Sequence, residues 1–121
     1  SKIINDDIII VVMLETPKAI LNVEEIASVP GIDVLLVGTN DLCMEMGIPG
    51  EFNHNDVKEA YKKVIQACNN NNILPGMGGV YDETLMHEYI DLGMKFILSG
   101  SDLSFLVKGA EDRLNNLKNK G

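Results

Sequence analysis

The chain alternates short, unbroken apolar runs with longer stretches in which apolar residues recur every three or four positions. The first run, residues 8–14 (IIIVVML), ends on Glu15-Thr16-Pro17. A run without alternation predicts a strand covered on both faces, as in a parallel sheet. Thr16 then serves as N-cap and Pro17 as first helical residue, with Ala19, Ile20, Val23, Ile26 and Ala27 at helical spacing before Pro30-Gly31. Residues 33–38 (DVLLVG) predict a second buried strand. Residues 41–46 predict a brief helix ended by Gly47, and 48–54 (IPGEFNH) a loop. Asn55 or Asp56 opens a longer helix with Val57, Ala60, Tyr61, Val64, Ile65 and Cys68 on one face, closing in the NNNN of 69–72. Residues 73–78 (ILPGMG) form a third strand, weakened by Pro75 and two glycines. Asp82 starts a helix containing Leu85, Met86, Tyr89 and Ile90, stopped by Gly93, and 95–100 (KFILSG) are the fourth strand. A last helix is predicted from about Asp102, with Leu103, Leu106, Val107, Ala110, Leu114 and Leu117 inward and a frayed polar tail.

Strand and helix thus alternate four times, which implies an α/β fold with a parallel sheet. Two architectures satisfy that pattern: an open doubly wound sheet, or half of a (β/α)8 TIM barrel. A full barrel needs about 250 residues, and this chain has 121. A half barrel leaves two apolar edge strands unpaired, so the expectation is one structural unit, residues 1–121, that is a fragment, one of two chains, or part of an obligate assembly.

Composition narrows the function. Eighteen acidic against ten basic side chains give a net charge of −8, and the one arginine is Arg113. No basic cluster is present, which argues against a nucleic-acid partner. The run at 8–14 is too short to span a bilayer and lacks the flanks of a signal peptide. Cys43 and Cys68 match no metal or redox spacing and read as reduced thiols in a cytoplasmic protein.

In either architecture the active site lies beyond the C-terminal ends of the strands. Those ends are Glu15-Thr16, Gly38-Thr39-Asn40-Asp41, Gly76-Met77-Gly78-Gly79 and Ser99-Gly100-Ser101-Asp102. Glu15 and Asp41 close neighbouring strands, so their carboxylates can converge. Two unit charges about 4 Å apart repel by roughly 4 kcal/mol at an effective dielectric near 20, and a divalent cation removes that repulsion. Mg2+ and Mn2+ suit carboxylate and water ligands. The alternative is that Asp41 caps its helix and Glu15 meets a lysine. The Asn40 and Asp41 amides open a helix and can cradle a substrate carboxylate. The GMGG loop permits close approach to the main chain but is no dinucleotide fingerprint, and it serves equally as a tight turn. Asp102 reads mainly as a helix N-cap. No lysine lies at a predicted strand end, so this half offers no obvious Schiff-base nucleophile, and His54 and His87 are expected to be exposed.

At these same positions the sequence resembles the HpcH/HpaI aldolases, metal-dependent class II enzymes that cleave 4-hydroxy-2-oxo acids to pyruvate and an aldehyde. The segments are MLETPKAILNVEEIASVPGIDVLLVGTNDL, GIPGEFNH, PGMGGVYDE and FILSGSDLSFL. They span nearly the whole chain and align with the C-terminal half of such a barrel, strands five to eight. The resemblance implies that Glu15 and Asp41 bind the metal (Mg2+ or Mn2+, with Co2+ a further candidate). It implies that the Asn40 and Asp41 amides hold the carboxylate of a pyruvyl substrate, and that Gly78 lines the pocket. Two residues before the metal glutamate the family often has Gln; here stands Met13, which puts that polar contact in doubt. The family's catalytic histidine and substrate-clamping arginine belong to the N-terminal half, so no catalytic residue is expected in this one. The implied mechanism uses the metal to polarise the 2-oxo group and stabilise the enolate. A homo-oligomer that exchanges C-terminal helices, and association with an N-terminal half, are also implied. Two alternatives stay open: a related acyl-CoA-type lyase, and a non-catalytic half barrel that pairs with another chain.

Overall fold

The structure, a computed structural model, describes residues 8–99 and the backbone of 104–107. Strand β1, Val11–Leu14, is followed by Thr16, whose hydroxyl accepts the Ala19 amide at 3.1 Å and so caps α1, Pro17–Leu21. The single helix expected here is broken at Asn22, whose amide still reaches Lys18 and Ile20 but whose backbone (φ −98°, ψ 15°) is not helical. A second short helix, α2, Val23–Ala27, completes the crossover. Strand β2, Val34–Gly38, runs directly into α3, Thr39–Glu45. The long helix α4, Asn55–Asn71, begins on a histidine: Nδ1 of His54 accepts the Asp56 amide at 3.0 Å. It ends on Asn72 in the left-handed region, as the asparagine run suggested. Strand β3, Leu74–Gly78, leads to α5, Glu83–Leu92, capped by Asp82 and stopped by Gly93 at φ 137°. Strand β4, Phe96–Ser99, and strand β5, Ser104–Val107, follow.

Strands β1 to β4 are parallel and lie in sequence order, with no reversal of direction. That order decides between the two architectures. A doubly wound sheet reverses its order at a switch point and carries helices on both faces. Here Leu14, Leu35, Val37, Met77 and Ile97 point to one face and pack with residues of α1 to α5 in a single core. The opposite face holds a smaller cluster built only from strands: Val34, Leu36, Leu74 and Phe96, with Leu98 against it. Helices on one side and a strand-lined interior on the other are the arrangement of a barrel segment. Pro75 is tolerated inside β3, where its carbonyl still accepts Lys95 N at 3.0 Å. Gly76 beside it is demanded, because a β-carbon there would lie 2.8 Å from the Phe96 carbonyl oxygen.

Two expectations are corrected. The run at 8–14 is not covered on both faces: β1 is the edge of the sheet, and Ile8, Ile9, Ile10, Val11 and Met13 are all exposed. Only Leu14 is buried, because only its face meets the helices. Nor does a helix run from about Asp102, since Ser104–Val107 form a strand antiparallel to β4, pairing Ser104 with Ser99 and Val107 with Phe96. Its sequence, SFLV, suits a strand, and its return gives backbone partners to the otherwise open edge of β4. Asp102 and Leu103, and Ala110, Leu114 and Leu117 of the expected helix, lie outside the described residues.

Candidate functional site

Register places the strand-end residues with little ambiguity. Met13 pairs with Leu36 and so shares the inner, strand-lined face; Glu15, two residues on, follows it there. Gly38 pairs with Gly78 at the ends of the two central strands. A β-carbon on Gly38 would lie 3.0 Å from Cγ of Glu15 and 3.2 Å from Cε of Met13. Glu15 therefore stands beside two consecutive strands that end in bare backbone. A side chain at position 38 would occupy the space that the glutamate uses, whereas a methyl at 78 meets only ordinary contacts with Leu98.

Glu15 is fixed from its own side by Thr16, whose cap on α1 ends the strand immediately after it. Asp41 comes from the next crossover, in the first turn of α3. Asp41 stands close enough to Glu15 to act on its ionisation. A side-chain interaction with Asp41, partial burial and the charge of Asp41 together raise the Glu15 pKa above its ordinary 4.5. Two carboxylates held this close without a cationic side chain form an acidic pair that a cation would relieve. The lysine partner considered for Glu15 is not found, since the ion pairs among the described residues involve Lys58 and Lys62 on α4 and the two histidines. Among the described residues no third His, Cys, Asp or Glu joins the pair. Such a two-carboxylate set fits Mg2+ or Mn2+, which keep water and substrate oxygens as ligands, better than a closed tetrahedral site.

Asn40 and Asp41 are both exposed at the start of α3. That helix has no side-chain cap: Gly38 occupies the position, leaving the first amides without a side-chain acceptor. The β3–α5 loop closes over them, with Gly79 at φ 87° and the site of its missing β-carbon 3.3 Å from Asn40 N. Gly78 lies on the same floor. Met13, Glu15, Asn40, Asp41 and Gly78 are thus gathered at one end of the sheet, while Gly100, Ser101 and Asp102 fall outside the described residues.

The sequence reading missed the support behind this constellation. Thr39 is buried, and its hydroxyl bonds the phenol of Tyr61 on α4. The Tyr61 ring packs against Tyr89 at 4.4 Å between centroids, and the Tyr89 hydroxyl donates to the Phe52 carbonyl. Burial pushes both phenols up, Tyr89 to about 12, so both are neutral hydrogen-bonding groups. A signal was present, since a buried tyrosine in an apolar stripe needs a polar partner at its far end. Of the histidines, His54 is half-buried as the cap of α4 rather than fully exposed, and His87 is exposed on α5. Cys43 and Cys68 are both buried, and no helix among the described residues is long and apolar enough to cross a membrane.

Comparison with known proteins bears on the family and the fold. Over 105 residues the chain is 38% identical to the 4-hydroxy-4-methyl-2-oxoglutarate aldolase of Chaetomium globosum, covering 85% of this chain and 39% of that one. It is 34% identical over 107 residues to the 4-hydroxy-2-oxo-heptane-1,7-dioate aldolase of Klebsiella pneumoniae, covering 88% and 40%. The crystal structure of an HpcH/HpaI aldolase from Desulfitobacterium hafniense superposes with a TM-score of 0.73 at 28% identity, over 96% of this chain and 42% of that one. The chain therefore spans about two fifths of the length of the relatives it matches. A sequence model of the HpcH/HpaI aldolase/citrate lyase family matches residues 1–109, and the chain belongs to that family.

Proposed function

We propose that this chain is the metal- and pyruvyl-binding part of a class II aldolase that cleaves a 4-hydroxy-2-oxo acid to pyruvate and an aldehyde. The observation that carries the reading is the convergence of Glu15 and Asp41 beside a floor of backbone at Gly38 and Gly78. Glu15 and Asp41 would hold the cation, Mg2+ or Mn2+ by the chemistry of the donor set. When bound, the cation supplies Lewis-acid polarisation for a 2-oxo group and counter-charge for the negative charge that develops on carbon–carbon cleavage. The amides of Asn40 and Asp41, at a helix start without a side-chain cap, would receive the substrate carboxylate. Gly38 and Gly78 leave room for the flat pyruvyl unit, and Met13 borders it with an apolar wall.

General base and arginine clamp are assigned to the rest of the barrel, because no histidine, lysine or arginine among the described residues joins this cluster. The names of the relatives, 4-hydroxy-2-oxo acid aldolases, favour this reading over the acyl-CoA alternative. The exposed inner-facing residues and free edge of β1 favour pairing with further barrel strands over a free-standing module. Calorimetric titration with Mn2+ tests the assignment. Asp41→Asn should abolish or strongly weaken binding and Asp102→Asn should not; equal losses would move the site.

A further inference from the structure

We propose that Tyr61, acting through Thr39, is a positioning residue that sets the affinity of the acidic pair for its cation. This rests on the reading of Glu15 and Asp41 as metal ligands. Asp41 sits on a helix of seven residues with no side-chain cap, too short to hold its own direction in water. Something must fix that helix to the scaffold. Thr39 is its first residue and, among the described residues, the buried polar one. Residues two apart on a helix point about 200° from each other, so Thr39 faces inward while Asp41 faces outward.

The Thr39 hydroxyl has two neighbours: the Tyr61 phenol on α4 and, at 3.5 Å, the carbonyl of Val37 in β2. The geometry fits a relay in which Tyr61 donates to Thr39 and Thr39 leans on the strand's last turn. One side chain thereby ties the start of α3 both to a seventeen-residue helix and to the strand beside Glu15. Tyr61 itself has little freedom, being fully buried and packed at a tilt against Tyr89, whose hydroxyl is held by Phe52. The Gly79 backbone also runs close to Asn40, since a β-carbon built on it would lie 3.3 Å from Asn40 N. The rotation of α3, and with it the approach of Asp41 to Glu15, is therefore set between a hydroxyl pair and a glycine. Groups that orient metal ligands without touching the metal typically change affinity by about 10- to 100-fold when removed.

The test is Mn2+ binding to the intact protein, read by electron paramagnetic resonance of the free ion, with unfolding midpoints measured in chelator. Tyr61→Phe and Thr39→Val should each weaken Mn2+ binding about tenfold, and the double variant no further than Thr39→Val alone, because the bond lost in Tyr61→Phe is already absent there. Thr39→Ser should retain parental affinity. Tyr89→Phe removes a comparable bond, the one to Phe52, and should leave affinity within twofold. Loss of binding in Asp41→Asn with parental affinity in Tyr61→Phe would overturn the positioning role alone. Equal weakening in Tyr61→Phe and Tyr89→Phe would reduce it to general destabilisation. An unmodified protein that binds no Mn2+ would overturn this inference together with the metal assignment.

Discussion

Replacing Asp41 with asparagine should stabilise the metal-free protein while weakening its grip on the cation. Two charges at about 4 Å repel by roughly 1 kcal/mol in bulk water and roughly 4 at an effective dielectric of 20. Glu15 is half-buried and Asp41 exposed, so the repulsion belongs in the lower part of that span, about 1–2 kcal/mol. Against it stands the favourable placement of Asp41 in the first turn of α3, where a carboxylate gains about 0.3–1 kcal/mol from the helix dipole. The net gain for Asp41→Asn near pH 7 is then about 0.5–1 kcal/mol. Its pH dependence follows from the raised pKa of Glu15. A carboxyl whose folded pKa lies above its unfolded value contributes stability that is complete below the unfolded value. That contribution is lost as pH rises through the folded one. The parent should therefore match the variant below about pH 4.5 and fall behind it as pH rises past that value. Urea unfolding in chelator at pH 4 and pH 7, and again with saturating Mn2+, measures this, and the ranking should invert when metal is added. A variant less stable than the parent at pH 7 in chelator would mean that the pair is not repulsive, and the electrostatic case for a cation would fail.

Met13→Gln should alter selectivity among 2-oxo acids while changing stability by less than about 1 kcal/mol, since Met13 is 46% exposed; kcat/KM for a panel of acids checks it. Gly76→Ala should cost about 1–3 kcal/mol or more by thermal unfolding, because the new methyl meets the Phe96 carbonyl and Leu36 at 2.8 and 3.0 Å. The 121 residues alone, saturated with Mn2+, should release no pyruvate from a 4-hydroxy-2-oxo acid, lacking acid–base help worth about 10²–10⁴-fold. Supplying the remainder of the barrel should restore release and chelator should abolish it, in an assay coupled to lactate dehydrogenase.

The repeating strand–helix order was legible because each strand is an apolar run closed by glycine or acid, and each crossover carries its own start and stop. Thr16-Pro17, Asp82 and Gly93 all act at the ends where their chemistry puts them. The pairing of Glu15 with Asp41 was legible for the same reason, since adjacent parallel strands bring their C-terminal residues together. What the pattern could not carry was context. The run at 8–14 reads as doubly covered, yet burial depends on a neighbouring strand, and among the described residues β1 has one on one side alone. SFLV at 104–107 continues an apolar period compatible with a helix, but an open edge at β4 recruits it as a strand. Thr39 and Tyr61 lie 22 positions apart, and no local rule ties a threonine after a strand to a tyrosine within a helix.

The pairing of Gly38 with Gly78 also bears on how such a site can diversify. Where the floor of a pocket is main chain, its shape follows from strand register, and most substitutions elsewhere leave it untouched. A side chain added at position 38 crowds Glu15 and, on the proposed assignment, would strike at cation binding before it could alter preference. Position 13 has no such constraint: it is exposed, borders the same space and carries a side chain already. On the proposed assignment, cation binding and substrate preference would thus rest on separable positions. Under drift or selection, a lineage can explore new acids through residues like Met13 while the two glycines stay silent.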